Sequence, residues 1–435
     1  MPNEINATQL KYVFKNMDDA VCAIRMTGEV FYANPAAQKL FGFSVRQKTK
    51  LWEAVPLVPQ NDELVQMFIN GVMKKEKSFR SIVDYVNQEG KLFHLCVSLT
   101  CNADVGMFLL VVNDLTNIRR LHSAFQRYTS PEIAEYVLQT PEGEKQGGAD
   151  KEVTILMSDV RGFTAMSGRL SSADLITMLN HYFECMSAVI DSFSGTIIEF
   201  LGDGIFVVFG APRDEPGHPA HAVACAIAMQ NAMEDVNAWN RERGWPDLEM
   251  GIGIHTGVCA VGNIGSDKRM KYGCMGETVN LAGRLEADSV GGQILVSADT
   301  CALIPEKLTL SEEKSVMPKG AREPFLFYEV TGIGKLLLFQ PVESPWQDLP
   351  GKQKIPFFEL DEKTVTDRQH TGRLVRITAD EKSALLATDA PLAPLMNVMM
   401  RVGETDVYAK VVAPQEDAFL IRFTSKPENL TALLK

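Results

Sequence analysis

Residues 151–167 read KEVTILMSDVRGFTAMS, and the organisation of the chain unfolds from them. Val153 to Met157 is an apolar run that predicts a buried strand. It stops at Ser158-Asp159, and Arg161-Gly162-Phe163-Thr164 turns the chain towards a helix. A carboxylate at the carboxyl end of a strand, with free backbone N–H groups just beyond it, can hold a divalent cation beside a phosphate chain. Taken alone, Asp159 is equally an ordinary turn former.

Residues 194–212, SGTIIEFLGDGIFVVFGAP, predict two apolar strands that meet at Leu201-Gly202-Asp203-Gly204. The hairpin carries an acid at its tip, and the flanking glycines give the backbone clearance. If this hairpin lies beside the first strand, Asp203 comes next to Asp159. Two carboxylates and an intervening backbone carbonyl make an oxygen-rich site for two Mg²⁺ or Mn²⁺ ions. Residues 268–287, KRMKYGCMGETVNLAGRLEA, predict a helix from Gly276-Glu277-Thr278 onward. Asn280 and Arg284 are four apart and share one face of it. In residues 317–330, MPKGAREPFLFYEV, Lys319 and Arg322 precede a final strand.

These four pieces, in this order, resemble the catalytic domain of the class III nucleotidyl cyclases over about 180 residues. The resemblance implies a ferredoxin-like α/β catalytic domain over 148–334. It implies that Asp159 and Asp203 hold two divalent metal ions (Mg or Mn), helped by the backbone carbonyl of Val160. Gly162, Phe163 and Thr164 would meet the phosphates and Asn280 would orient the ribose. Arg284 would neutralise charge on the pentacoordinate phosphorus. Lys319 would contact the terminal phosphates, with Arg322 as the competing candidate. In this family the site lies between two chains, so a homodimer carrying both sets of residues would form two sites.

The same resemblance assigns base choice to two positions. Members that make cyclic AMP carry Lys four residues before the second metal aspartate, and those that make cyclic GMP carry Glu. Here it is Glu199. A carboxylate accepts from the N1–H and 2-amino groups of guanine, whereas adenine would leave acceptors opposed. The second position, Gly273, removes the acceptor that adenine needs but offers no side-chain donor to guanine O6. The expectation is a guanylate cyclase acting on GTP. The alternatives are an adenylate cyclase acting on ATP and a catalytically inactive sensor scaffold. The Gly-Gly-Asp/Glu-Glu-Phe signature of diguanylate cyclases is missing.

Outward from this centre, the 435 residues predict about three domains and an α+β multidomain protein. Residues 20–43, AVCAIRMTGEVFYANPAAQKLFGF, place two short strands around a turn at Met26–Glu29, and Asn34-Pro35 then opens a helix. Residues 78–101 and 106–115 read as three further strands. This pattern resembles a PAS sensor domain over 8–116 with an unidentified small-molecule or protein input. His94 is a lone histidine in a strand, a structural residue rather than a haem ligand.

A signalling helix or cyclase transducer is expected over 117–140. Ile118, Leu121, Phe125 and Tyr128 form one stripe, and Ser130-Pro131 opens a second helix. PEGEKQGGADKE, residues 141–152, reads as a linker. After a Pro-rich connector, short alternating strands over 357–435 predict a small β-barrel-like C-terminal domain. It is weakly similar to PilZ domains. Arg368, Arg373 and Arg376 lack the spacing of that family's dinucleotide-binding element, so a cyclic dinucleotide is not expected there.

Composition excludes other classes. Apolar content of 46% and charged content of 23% are globular values. A net charge of −12 disfavours wrapping nucleic acid. No apolar run approaches the length of a membrane span, and the polar, acidic start does not read as a signal peptide, so a cytoplasmic location is expected. Eight cysteines without a Cys-x-x-Cys pair read as free thiols.

Overall fold

The computed structural model describes residues 6–42, 49–74, 78–102, 104–317, 324–339, 344–349, 354–361, 364–415, 417–427 and 430–434. The chain divides into two compact units, Met1–Tyr128 and Thr129–Lys435.

The first unit contains α1 (Ala7–Lys15), β1 (Ala20–Arg25), β2 (Val30–Ala33), α2 (Pro35–Phe41), α3 (Asp62–Lys74), β3 (Ser78–Val86), β4 (Leu92–Asn102), β5 (Met107–Asp114) and α4 (Thr116–Tyr128). The strands form an antiparallel sheet in the order β2-β1-β5-β4-β3. Its core brings Phe41 and Phe68 from the helices against Tyr85 and Phe108 from the strands. Buried Asn34 explains the sharp passage from β2 into α2. Its side-chain oxygen accepts from Ala37 N at 2.9 Å, capping the helix, and from Val21 N at 3.0 Å. His94 is structural: Nδ1 lies 2.5 Å from Asp84 Oδ1, and its backbone N–H donates to Thr116 Oγ1 at 2.9 Å. On α4, Ile118, Leu121 and Tyr128 of the predicted stripe are exposed.

The second unit begins with α5 (Pro131–Gln139), capped by Ser130 as predicted. There follow β6 (Gly147–Val160), α6 (Phe163–Ser167), α7 (Ser172–Ser192), β7 (Thr196–Leu201), β8 (Gly204–Phe209), α8 (His218–Arg241), β9 (Met250–Ser266), β10 (Arg269–Met275) and α9 (Glu277–Asp288). The sheet is completed by β11 (Ile294–Ser297), α10 (Ala298–Ala302), β12 (Leu308–Leu310), β13 (Lys314–Val316), β14 (Phe325–Ile333) and β15 (Leu336–Leu337). Within it the β6-α7-β7-β8-α8-β9 segment takes the order β9-β6-β8-β7, the ferredoxin-like arrangement.

Helices α7 and α8 bury Met178, Tyr182, Met186, Val223 and Ile227 on one face of this sheet. Helix α9 packs on the other face and needs a bare backbone beneath it. A Cβ at Gly253 would stand 2.1 Å from Glu286 N and 2.6 Å from Ala282 O.

Strand β6 starts inside the stretch expected to be a linker. Gly147 to Glu152 pair in register with Asn263 to Val258, and Asn263 Nδ2 donates to Gly143 O at 2.8 Å and to Lys145 O at 3.0 Å. A long-range strand partner overrides the local preference of a Gly- and charge-rich segment.

The remaining strands are β16 (Trp346–Asp348), β17 (Ile355–Asp361), β18 (Thr364–Thr378), β19 (Ser383–Ala387), β20 (Asn397–Val402), β21 (Thr405–Gln415) and β22 (Ala418–Ser425), followed by α11 (Leu430–Leu433). Strands β17-β20-β21-β22-β19-β18 close into an antiparallel barrel through the β18–β17 pairing, and β16 pairs with β18 beside it. The sheet therefore recruits residues from Trp346 onward, within the stretch expected to be a Pro-rich connector. All eight cysteines are free. Among the described residues, no helix is long and apolar enough to cross a membrane.

Candidate active site

Strand β6 delivers Asp159 to the end of the sheet, and the β7–β8 hairpin brings Asp203 beside it. Gly204 makes the approach possible: a Cβ there would stand 2.8 Å from Ser158 O and 3.5 Å from Asp159 Oδ1. The two carboxyl groups lie within electrostatic reach of one another. Burial, with the Asp159 carboxylate alongside, pushes the Asp203 carboxyl up to about 6, although its own backbone N–H and that of Val160 donate to it. Asp159 also receives Arg161, at 3.4 Å, and the same guanidinium donates to Glu286 O at 2.6 Å and to Ser289 Oγ at 3.0 Å. Arg161 thus ties the strand end to the last turn of α9.

Gly162 takes φ +68° and opens α6, a conformation that suits glycine. Phe163 packs against the core under α7 and α8, and Thr164 is exposed. These residues occupy the turn directly after the aspartate.

On the other side of the hairpin, β7 forms the edge of the sheet. A bulge between Ile197 and Glu199 leaves Ile198 unpaired and re-aims Glu199. Glu199 is partly exposed and forms an ion pair with Lys271 of β10. Lys271 lies two residues before Gly273, on the same face of that strand. The structure therefore brings Glu199 to the strand that carries Gly273. A Cβ at Gly273 would meet only Ile264 Cδ1, at 3.9 Å, so a side chain has room there.

Asn280 is exposed and Arg284 half-buried on α9. Thr278 Oγ1 anchors the start of the helix by donating to Val258 O at 2.7 Å. Among the described residues, neither Asn280 nor Arg284 pairs with the two aspartates, and Arg284 Nε is buried without a hydrogen-bond partner. Lys319 and Arg322 lie outside the described residues.

Sequence reading missed three charged residues here. Lys271 was legible from its period-two spacing to Gly273. Arg161 stood in the quoted turn, but its partner Glu286 is 125 residues away. Lys410 of β21 is 3% exposed, and its Nζ donates to Ala287 O at 2.6 Å at the end of α9. Nothing local to Lys410 signals that contact.

A ferredoxin-like sheet with two aspartates meeting at its strand ends, and an Asn/Arg helix on its opposite face, defines a class III nucleotidyl cyclase catalytic domain. In agreement, the family model of the adenylate and guanylate cyclase catalytic domain matches residues 146–332, and a PAS domain model matches residues 8–73. Adenylate cyclase 1 of Rhizobium meliloti (strain 1021) is 32% identical over 211 residues, which cover 48% of this chain and 32% of that protein. The solved structure of the guanylyl cyclase Cya2 is 44% identical, with a TM-score of 0.44, covering 45% of this chain and 100% of that one. The adenylyl cyclase CyaB from P. aeruginosa is 36% identical, with a TM-score of 0.42, covering 44% of this chain and 100% of that one. The matched part spans about a third to a half of the length of the bacterial relatives and 15% of that of the natriuretic peptide receptors.

The site has an electrostatic neighbour. The carboxylate of Glu249, just before β9, accepts from two barrel cations: Lys382 Nζ at 2.5 Å and Arg422 at 3.0 Å. Burial opposes its ionisation, but Arg422 and Lys382 outweigh that and hold the carboxyl below its ordinary value of 4.5. A carboxyl with a depressed folded-state value stabilises the fold above its unfolded value and loses that contribution as pH falls through the folded one. Thermal unfolding of wild type and Glu249→Gln is therefore expected to diverge above about pH 4.5 and to converge in acid. Equal separation at pH 3 and pH 7 would contradict this.

Proposed function

We propose that the chain is a guanylate cyclase that converts GTP to 3′,5′-cyclic GMP and pyrophosphate at a site shared by two copies of itself. The observation that carries the chemistry is the meeting of Asp159 and Asp203 at the strand ends, where burial and then the neighbouring carboxylate raise the Asp203 carboxyl, a setting that suits a cation between them. The donors are hard oxygens, the set that Mg²⁺ and Mn²⁺ prefer. Among the described residues, no three His, Cys, Asp or Glu side chains gather for a metal. The remaining ligands would be the Val160 carbonyl, nucleotide phosphates and water. Bound there, two such ions would lower the pKa of the ribose 3′-hydroxyl and stabilise charge on the departing pyrophosphate.

The residues of the chain do the rest. The ribose 3′-hydroxyl gives up its proton to water and its oxygen bonds to the α-phosphorus, while the bond from that phosphorus to the oxygen bridging it to the β-phosphate breaks and pyrophosphate leaves. Asn280 orients the ribose. Arg284, a rigid fork that stays charged, meets the developing charge on the phosphorus. Gly162 to Thr164 and Lys319 hold the phosphates. Glu199 accepts from guanine N1–H and the 2-amino group. Lys271, already paired with Glu199, orients that carboxylate.

The dimer reading rests on exposed apolar residues of the same elements: Phe200 and Leu201 on the hairpin, Val258 on β9 and Met275 on β10. In a dimer, Asp159 and Asp203 of one copy would face Asn280, Arg284 and Glu199 of the other.

One observation favours an adenylate cyclase instead: Lys271 offsets the charge of Glu199, and Gly273 supplies no donor for guanine O6. Assay of the purified chain with Mn²⁺ and either GTP or ATP decides between them. Cyclic GMP as the main product is expected, and cyclic AMP as the main product would reverse the base assignment. No product from either nucleotide would favour a scaffold. The same assay on a chain lacking residues 1–116 tests input from the PAS unit, which is expected to change the basal rate.

A further inference from the structure

The C-terminal barrel meets the catalytic domain through an apolar contact, Leu395 against the cluster of Leu285 of α9, Leu295 and Phe327, and through two charged contacts that adjoin the proposed site. At the first, Lys410 of β21 reaches the carboxyl end of α9, with Nζ 2.6 Å from Ala287 O and 3.9 Å from Asp288 Oδ1. At the second, Lys382 and Arg422 hold Glu249, whose backbone carbonyl accepts from Arg161 N at 2.7 Å, two residues beyond Asp159. Between these points the backbone of β22 lies against the turn after Asp159, where a Cβ on Gly162 would stand 2.8 Å from Thr424 O.

Beside that apolar contact, the junction buries charge at Lys410 and at Glu249 with its two cations. Buried ions lose more hydration than their pairing returns, and well-packed apolar residues of similar volume are often as stable or more so. The junction even leaves Arg161 Nε, Arg284 Nε, Asp288 Oδ2 and Arg422 Nε buried without hydrogen-bond partners among the described residues. What an ammonium provides and a methionine does not is direction. It is a point donor aimed at the carbonyls that end a helix, where positive charge is also favoured. Arg284 sits one turn before that end, on the same helix.

Resting on the cyclase reading, we propose that the barrel braces the catalytic site and that Lys410 is a positioning residue for α9, and through α9 for Asn280 and Arg284. Lys410 touches no substrate atom. It fixes the axial placement and the last turn of the helix that presents the transition-state arginine. Misplacement of such a group by about 1 Å costs on the order of 10²-fold in rate.

The test compares the full-length Lys410→Met/Asp288→Leu variant with Lys410→Arg and wild type. The double change removes the Lys410–Asp288 pair together, and because Asp288 also faces Arg284, Asp288→Leu alone serves as the control: it should keep most of kcat and of the exchange protection. For the double variant, thermal unfolding near the wild-type temperature is expected, with faster hydrogen exchange in residues 277–288. Its kcat should fall at least about tenfold with KM within about twofold, the signature of an interaction made in the transition state. Lys410→Arg should restore exchange protection and most of kcat. A double variant that folds and keeps kcat overturns the assignment. So does one that melts far below wild type, since Lys410 would then be merely structural. The exchange measurement needs no turnover. If wild type makes no cyclic nucleotide, the cyclase reading fails while slow exchange in the double variant still decides against the brace.

Discussion

Replacing Glu199 by Lys and Gly273 by Asp together is expected to move the preferred substrate from GTP to ATP. Glu199→Lys alone should lower kcat/KM for GTP by about 10²–10⁴, because the N1–H and 2-amino donors of guanine would then face an ammonium. It would also oppose Lys271, whose partner is Glu199. Gly273→Asp supplies an acceptor for the 6-amino group of adenine. The backbone tolerates it, since a Cβ at that position meets only Ile264 Cδ1 at 3.9 Å. Steady-state kinetics of the single and double variants with both nucleotides measure the effect. GTP preference surviving Glu199→Lys intact would remove Glu199 from the base pocket.

The second large effect is complementation between inactive variants. Asp203→Asn and Arg284→Ala should each cost on the order of 10²–10³ or more in rate, one through lost cation binding and the other through a lost charge clamp. If each site takes Asp203 from one copy and Arg284 from the other, a mixed dimer holds one site with both residues intact. Random pairing of equal amounts makes half the dimers mixed, each with one working site of two. Activity should therefore recover to about a quarter of wild type. Mixing and assaying the purified variants is the measurement. No recovery, with subunit exchange demonstrated, would mean that each chain builds its site alone.

Much of the fold was legible because its signals are local. Asn34-Pro35 and Ser130-Pro131 announce helix starts by cap chemistry, and the structure places α2 and α5 there. The Gly-Asp-Gly tip between two apolar runs announces a hairpin, and β7 and β8 form it. The boundaries that moved were settled by distant partners. Residues 147–152 look like a linker until β9 is available to pair with them. Trp346 and Ile355 look like a connector until β18 is.

The residues proposed to bear the chemistry were written in the chain: two aspartates at predicted strand ends, Glu199 four residues before the second, and Asn280 and Arg284 one turn apart. Side-chain type and short spacing depend only on covalent neighbours, so a linear reading recovers them. The charges around them were decided by tertiary structure alone. Arg161 meets Glu286, Lys271 meets Glu199, and barrel cations meet Glu249 and the end of α9 across separations of up to 173 residues. Electrostatic and hydrogen-bond partners act over a few ångströms of space, and only the folded chain brings those distances about.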